Sequence, residues 1–315
     1  MVGLSLGEKN FIKGGIAQDL RTDGRKRLAY RPIHVETGVI PQASGSARVT
    51  IGATIVIASV KAELGKPHPS HPDKGKVSIF VDCSSIAEPT FEGRGSEELA
   101  SELSSALQIC LLGGKSGAGI IKQCVRESLC ITLTVSKLGI HHHCATGAGI
   151  DLSSLSIIEG KVCWDLYIDG LVLSSDGNML DALGAAVKAA LSNTAIPKVQ
   201  VSAEASSDDQ PEVDVSDEEF LQFDTTGVPV IITLTKVGRP YIVDATLEEE
   251  SQMSSAVSVS VNRHGRICGL TKRGGAGLCP STIMDMISVA KHVSEQLIND
   301  LDSAIAAAEA CDEDS

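Results

Sequence analysis

Ser175-Asp176-Gly177 ends an apolar run and leads into a helical pattern that opens on Asn178-Met179-Leu180. A glycine turn at a helix start presents free backbone N–H groups and the positive end of the helix dipole, which is the chemistry of an anion site. Here the turn carries no arginine and no hydroxyl to grip a phosphate. A second group lies farther along, where Asp244 is followed by Glu248-Glu249-Glu250. Carboxylates alone would repel a phosphate or an RNA backbone unless a metal or a partner's arginine intervened. Asp244 also has a plainer reading, as a strand-end residue that closes a turn.

Two further constellations imitate sites. His141-His142-His143-Cys144, with Cys124 and Cys130 upstream, offers imidazoles and thiolates. Zinc needs ligands that converge tetrahedrally, whereas adjacent histidines on an extended strand point to opposite faces, so no metal is expected. Leu112-Gly113-Gly114-Lys115-Ser116 imitates the end of a phosphate-binding loop, but Ile109 stands where that loop needs glycine. The segment also follows a helix, while such loops follow a strand, and no nucleotide or other cofactor is expected.

The elements that position these residues come in three rounds of strands followed by a helix. Candidate strands at 33–39, 47–62 and 77–83 precede a helix from Ser96 to about Leu112, striped by Leu99, Leu103, Leu107 and Leu111, with Ser96 as its cap. Trp164, Leu166 and Ile168 alternate along a strand that continues through Leu171 and Leu173. Met179, Leu180, Leu183, Val187 and Leu191 then recur at helical spacing. The third round has strands near 228–237, 241–244, 256–262 and 266–270 and a helix from Ser281 to about Ala308, striped by Met284, Ile287, Val293, Leu297, Leu301 and Ile305. Such rounds predict an α+β fold with a mixed sheet packed by helices on one or both faces.

Four stretches carry a resemblance to the ribonuclease PH family of phosphate-dependent 3′-to-5′ exoribonucleases, and within it to the PH-like ring subunits of the eukaryotic RNA exosome. They are Arg21-Thr22-Asp23-Gly24-Arg25 with Arg31-Pro32, Gly45-Ser46-Ala47-Arg48-Val49 with Gly52-Ala53-Thr54, Phe91-Glu92-Gly93-Arg94-Gly95, and Val243-Asp244-Ala245-Thr246-Leu247-Glu248-Glu249-Glu250. With the strand and helix around Asn178 they span nearly the whole chain in the family's order. The resemblance implies the PH fold, duplicated βαβα halves in a single domain over 1–315.

It also implies where activity is lost. Active members hold the attacking phosphate with a Gly-Thr-Arg at the helix start that here carries Asn178, Met179 and Leu180. Each missing charge-assisted hydrogen bond is worth roughly 1.5–3 kcal/mol. Asn178 and Asp244 are therefore the expected remnants of a site, in a subunit with no phosphorolytic activity of its own. The alternatives are an active phosphate-dependent exoribonuclease and a small-molecule enzyme on a similar fold. Implied partners are other PH-like exosome subunits, forming a heterodimer within a six-membered ring, cap proteins of S1 or KH type, a hydrolytic nuclease, and RNA in a shared channel during processing that includes rRNA maturation. Lys115, and Arg94 in the turn before the first long helix, are the candidate RNA contacts. The alternative for both is an exposed base with no partner. Arg21, Arg25 and Arg31 read as interface or fold arginines on the strand that leads into the fold.

Composition agrees with this picture. The 315 residues, 43% hydrophobic, suffice for one large core. Nine cysteines form no C-x-x-C pair, which fits reduced thiols. No run of about 18 apolar residues suggests a membrane span, and MVGLSLGEKNFIKGG has no signal-peptide pattern. The expectation is cytosol or nucleus, with the resemblance implying nucleus, nucleolus and cytoplasm. The net charge of −13 argues against tight RNA binding by the chain alone, as does an aromatic content of 3%. That charge is concentrated: 202–219 holds eight acids and 302–315 holds five, neither with a base, so the rest has 27 acids against 27 bases. An acidic loop at 202–219 and a disordered acidic tail at 308–315 are expected. Finally, Gly117-Ala118-Gly119-Ile120 recurs as Gly147-Ala148-Gly149-Ile150, which marks Ile121 to Ile150 as a surface insert of low order, unless the repeat is chance in a Gly/Ala-rich chain.

Overall fold

The computed structural model describes residues 4–88, 91, 94–113, 149–201 and 213–313. Among these residues the helices are α1 (Leu6–Ala17), α2 (Arg94–Leu112), α3 (Met179–Ser192), the single turn α4 (Leu247–Glu250) and α5 (Pro280–Glu313). The strands are β1 (Ile33–Thr37), β2 (Gly45–Ile51), β3 (Thr54–Gly65), β4 (Lys76–Cys83), β5 (Ser156–Ile158), β6 (Val162–Ser174), β7 (Ala195–Val201), β8 (Val213–Gln222), β9 (Val230–Lys236), β10 (Tyr241–Val243), β11 (Ser255–Val261) and β12 (Ile267–Arg273). Apart from α1 and the β7–β8 pair, the order is strands, α2, strands, α3, then strands, α4, strands, α5. This is the expected α+β alternation.

Two main sheets result. The first runs β1-β2-β3-β6-β4, with β5 paired to β6, and is antiparallel except for the parallel pair β4 and β6. The second runs β10-β9-β11-β12 and is antiparallel throughout. The expected strand 47–62 is a hairpin, because Gly52 adopts φ 59° and turns the chain between Ile51 and its partner Thr54. A left-handed residue in a two-residue loop matches the twist of the flanking strands.

The two sheets are covered differently. β3 alternates buried and half-buried residues over its first seven positions, the pattern of a sheet covered on one face. In β11 every residue is buried, and in β9 all but Lys236, so that sheet is covered on both. α3 supplies the common layer, packing on β2 and β3 and on β9, while α2 bridges β4 and β12 and α5 runs along β1, β9 and β11. This explains why α3 is buried from Met179 through Leu191, including Asp181 and Lys188, where the spacing had suggested one apolar face. α2 also seals the outer edge of β4: Ser104 Oγ accepts from the Val81 N–H at 2.9 Å, and Gln108 Nε2 donates to the Ile79 carbonyl at 3.4 Å.

Several expectations need correction. α2 begins at Arg94, which places Ser96 inside its first turn and not at its cap. Met284 is 40% exposed and outside the buried stripe of α5, which uses Ile283 and Met286 in its place and keeps Ile287. α5 extends to Glu313, so Ala308 to Glu313 are helical rather than a disordered tail. Residues 213–219 of the expected acidic loop belong to β8, which pairs with β7, and 202–212 lie outside the described residues. The proposed insert lies outside them too, except for Gly149 and Ile150. Ile150 is buried and its N–H donates to the Leu111 carbonyl at 3.0 Å, and a Cβ on Gly149 would collide with that same oxygen. Among the described residues no helix is long and apolar enough to cross a membrane.

Candidate functional site

The chain between α1 and β1 runs RTDGRKRLAYR from Arg21 to Arg31 and forms no strand, contrary to expectation. It lies against the end of β10, where the Val243 N–H donates to the Arg27 carbonyl at 2.9 Å. Buried guanidinium groups require carboxylates and carbonyls around them. Asp244 and α4 provide both.

Asp244 is fully buried and directly follows β10, in the left-handed region with φ 46°. Its Oδ2 accepts from the Arg31 backbone N–H at 2.8 Å, Arg31 Nε at 2.9 Å and Arg25 Nη1 at 2.7 Å. Its Oδ1 accepts from Arg31 Nη2 at 2.8 Å and Asn178 Nδ2 at 2.9 Å. Burial pushes this carboxyl up, but Arg31, with help from Asn178, outweighs that and holds it below its ordinary value. Arg21 completes the network: its Nη1 donates to the Val243 carbonyl at 2.9 Å, its Nη2 to the Asp244 carbonyl at 2.7 Å, and it forms a two-pronged pair with the buried Glu249. Glu249 in turn accepts from the Thr246 N–H at 2.9 Å and so caps α4.

Asn178 sits at the mouth of α3, also left-handed with φ 55°, and its side chain makes no capping bond to the helix. The Asn178 N–H is taken by Glu250 Oε1 at 3.0 Å, and the same oxygen accepts from Arg273 Nη2 at 3.2 Å. An internal carboxylate thus occupies the anion position. Asparagine and aspartate are the non-glycine types that tolerate left-handed backbone, and two such residues joined by a hydrogen bond mark a constrained centre. Beside it opens a cleft of about 100 Å³, lined by Leu103, Ala106, Leu180, Ser258, Lys272 and Arg273 among others.

One turn into α3, Asp181 is buried without a cation. Its carboxylate accepts from Tyr30 Oη at 2.8 Å, the Thr233 N–H at 2.9 Å and Thr233 Oγ1 at 2.6 Å. Burial raises its pKa to about 7 against those hydrogen bonds.

Of the residues expected at a site, the structure brings Asn178 and Asp244 into contact. Arg94 opens α2 instead of lying in a turn before it, and Lys115 lies outside the described residues. Among the described residues no group of three or more His, Cys, Asp and Glu forms a metal site, and the His141 to Cys144 run is outside them. The sequence reading missed that the cations around Asp244 come from this chain itself. A signal was available: the four arginines Arg21, Arg25, Arg27 and Arg31 have only two neighbouring acids, Asp19 and Asp23, and Asp244 to Glu250 is a dense carboxylate run awaiting partners.

The sequence matches the 3′ exoribonuclease family in two parts, domain 1 over residues 29–197 and domain 2 over 227–293. It is 36% identical to a Dictyostelium discoideum protein described as a putative exosome complex exonuclease RRP42, over 97% of this chain and 98% of that protein. It is 34% identical to the exosome complex component Rrp42 of Methanopyrus kandleri, over 92% and 94% respectively. A chain of the Archaeoglobus fulgidus exosome, solved with RNA bound to the active site, is similar with a TM-score of 0.66 and 27% identity, covering 93% of this chain and 96% of that one.

Proposed function

This chain belongs to the 3′ exoribonuclease family, and from that premise we propose that it is a ring subunit of the RNA exosome, of the kind its relatives described as Rrp42 represent, without phosphorolytic activity of its own. The observation that carries the second part is the Glu250 carboxylate on the Asn178 N–H. Phosphate would have to displace an anion already paired with Arg273 and would meet no arginine on Asn178-Met179-Leu180. Asp244 is equally committed, because both its oxygens are engaged by Arg25, Arg31 and Asn178. The remnant site works as a structural node that ties the first part of the chain to the second.

In this reading the subunit pairs with another PH-like protein within a six-membered ring, beneath S1 or KH cap proteins, and passes RNA to a hydrolytic nuclease during 3′-to-5′ processing that includes rRNA maturation. Arg94 and Lys115 are its proposed RNA contacts, and nucleus, nucleolus and cytoplasm its proposed locations. The test is the purified chain with RNA and inorganic phosphate. No nucleoside diphosphate should be released, while the chain should co-purify in a stoichiometric ring; phosphate-dependent release would overturn the inactive reading.

A further inference from the structure

Three hydroxyls stand in register across the second sheet. Ser258 on β11 pairs with Thr233 on β9 and with Thr271 on β12, so their side chains share one face, and all three line the cleft beside α2. Hydroxyls in a packed layer cost free energy unless they are bonded. Thr233 Oγ1 lies between two partners, Asp181 Oδ1 at 2.6 Å and Ser258 Oγ at 2.8 Å. Each hydroxyl has a single proton to give, so Asp181, Thr233 and Ser258 form a chain of bonds that has a direction.

Asp181 fixes that direction. Its Oδ2 already accepts from the Tyr30 hydroxyl and from the Thr233 N–H, which can only donate. Burial, and then the Asp181 charge, hold Tyr30 well above its ordinary value, so its hydroxyl also keeps its proton. A proton arriving at the carboxylate must therefore sit on Oδ1, facing Thr233 Oγ1. That hydroxyl then accepts where it had donated, and turns its own proton to Ser258. Ser258, which had donated to Thr233, must turn its proton away, and its open side is the cleft. The O–H on Asp181 is the only bond made, and the two hydroxyls merely rotate.

We propose that Asp181 sets the polarity of the cleft wall through Thr233 and Ser258: the ionised carboxylate leaves the Ser258 oxygen facing the cleft as an acceptor, and the protonated carboxyl turns the Ser258 O–H there as a donor. The protonated form suits a carbonyl or phosphoryl oxygen in the cleft, the ionised form an N–H donor. Burial raises the Asp181 pKa to about 7, within reach of ordinary changes in pH. Two ionisable neighbours stay fixed over that range: against its burial, Arg31 holds Asp244 below its ordinary value, and burial pushes the Cys110 thiol on α2 up to about 12. The cleft's other charges are Glu102, Lys272 and the paired Glu250 and Arg273. Nothing in this switch depends on a ring neighbour or on RNA.

The test is an NMR titration of the full chain, isotope-labelled at aspartate Cγ and serine Cβ, from about pH 5 to about pH 9. The Asp181 and Ser258 signals should move together, with one midpoint at about 7. Thr233→Val keeps the shape of the side chain and removes the hydroxyl. Asp181 should still titrate there, its midpoint raised by about one pH unit for the lost hydrogen bond, while Ser258 falls silent. A silent Ser258 in the parent, an Asp181 that does not titrate in this range, or a Ser258 that still follows Asp181 in Thr233→Val would each overturn the proposal, the last because the carboxylate charge alone would then account for the signal. Should Thr233→Val not fold, Asp181→Asn takes its place: Ser258 should become independent of pH, and a Ser258 signal that still titrates overturns the proposal.

Discussion

The arginine node at Asp244 and the ribbon of β7 and β8 use the same charged residues in opposite ways. At the node, Arg21 and Arg31 are 3% and 7% exposed and their donors end on carboxylates or carbonyls of distant segments. On the ribbon, acids face water with one lysine among them. Buried charge therefore fixes where parts of this chain sit, while the exposed acids are left to solvent. The formal charge of −13 sums both uses and distinguishes neither.

The difference is broken most severely at its centre. Asp244→Ala leaves Arg31 buried without its carboxylate, and chemical denaturation should show a loss of about 3–5 kcal/mol; a loss below about 1 kcal/mol would mean that the node is ornament. Asp181 tests whether a buried carboxyl without a cation behaves otherwise. Its pKa rises from 3.8 to about 7 on folding, so the folded state keeps a proton that the unfolded chain releases. Its contribution is complete below about pH 4 and is lost as pH climbs to about 7, at up to about 1.4 kcal/mol per pH unit. Urea titrations across that window should show this slope in the parent and its removal in Asp181→Asn. Glu250→Gln should cost about 1 kcal/mol through the α3 mouth and still release no nucleoside diphosphate, because glutamine brings no cation. Deleting Ile121 to Ile150 leaves Gly119-Ile120 to take the place of Gly149-Ile150 against Leu111, and the midpoint of thermal unfolding should stay within about 3 °C. Smallest of all, Phe220→Ser should shift the stability of the free chain by less than about 0.5 kcal/mol, since the ring it removes touches mostly water.

Periodicity made the large elements legible. The leucines of α2 and the alternation around Trp164 give their elements to within about two residues, because burial on one stripe or face dictates both. α3 was legible as a helix and illegible as a central layer, since two sheets close on it from opposite sides and no local pattern reports the second. The site divides the same way. Asn178 and Asp244 stood out by type and turn chemistry, yet their contact spans 66 positions, and Arg31 reaches Asp244 across 213. Glu250 was visible in sequence as one of three adjacent glutamates, and only the fold selects Glu249 for Arg21 and Glu250 for Asn178.

The sealed edge of β4 carries one last consequence. With Ser104 and Gln108 spending polar atoms on Val81 and Ile79, two rungs on that side of the first sheet are already taken, and a neighbouring strand would have to displace a helix of the chain itself to add there.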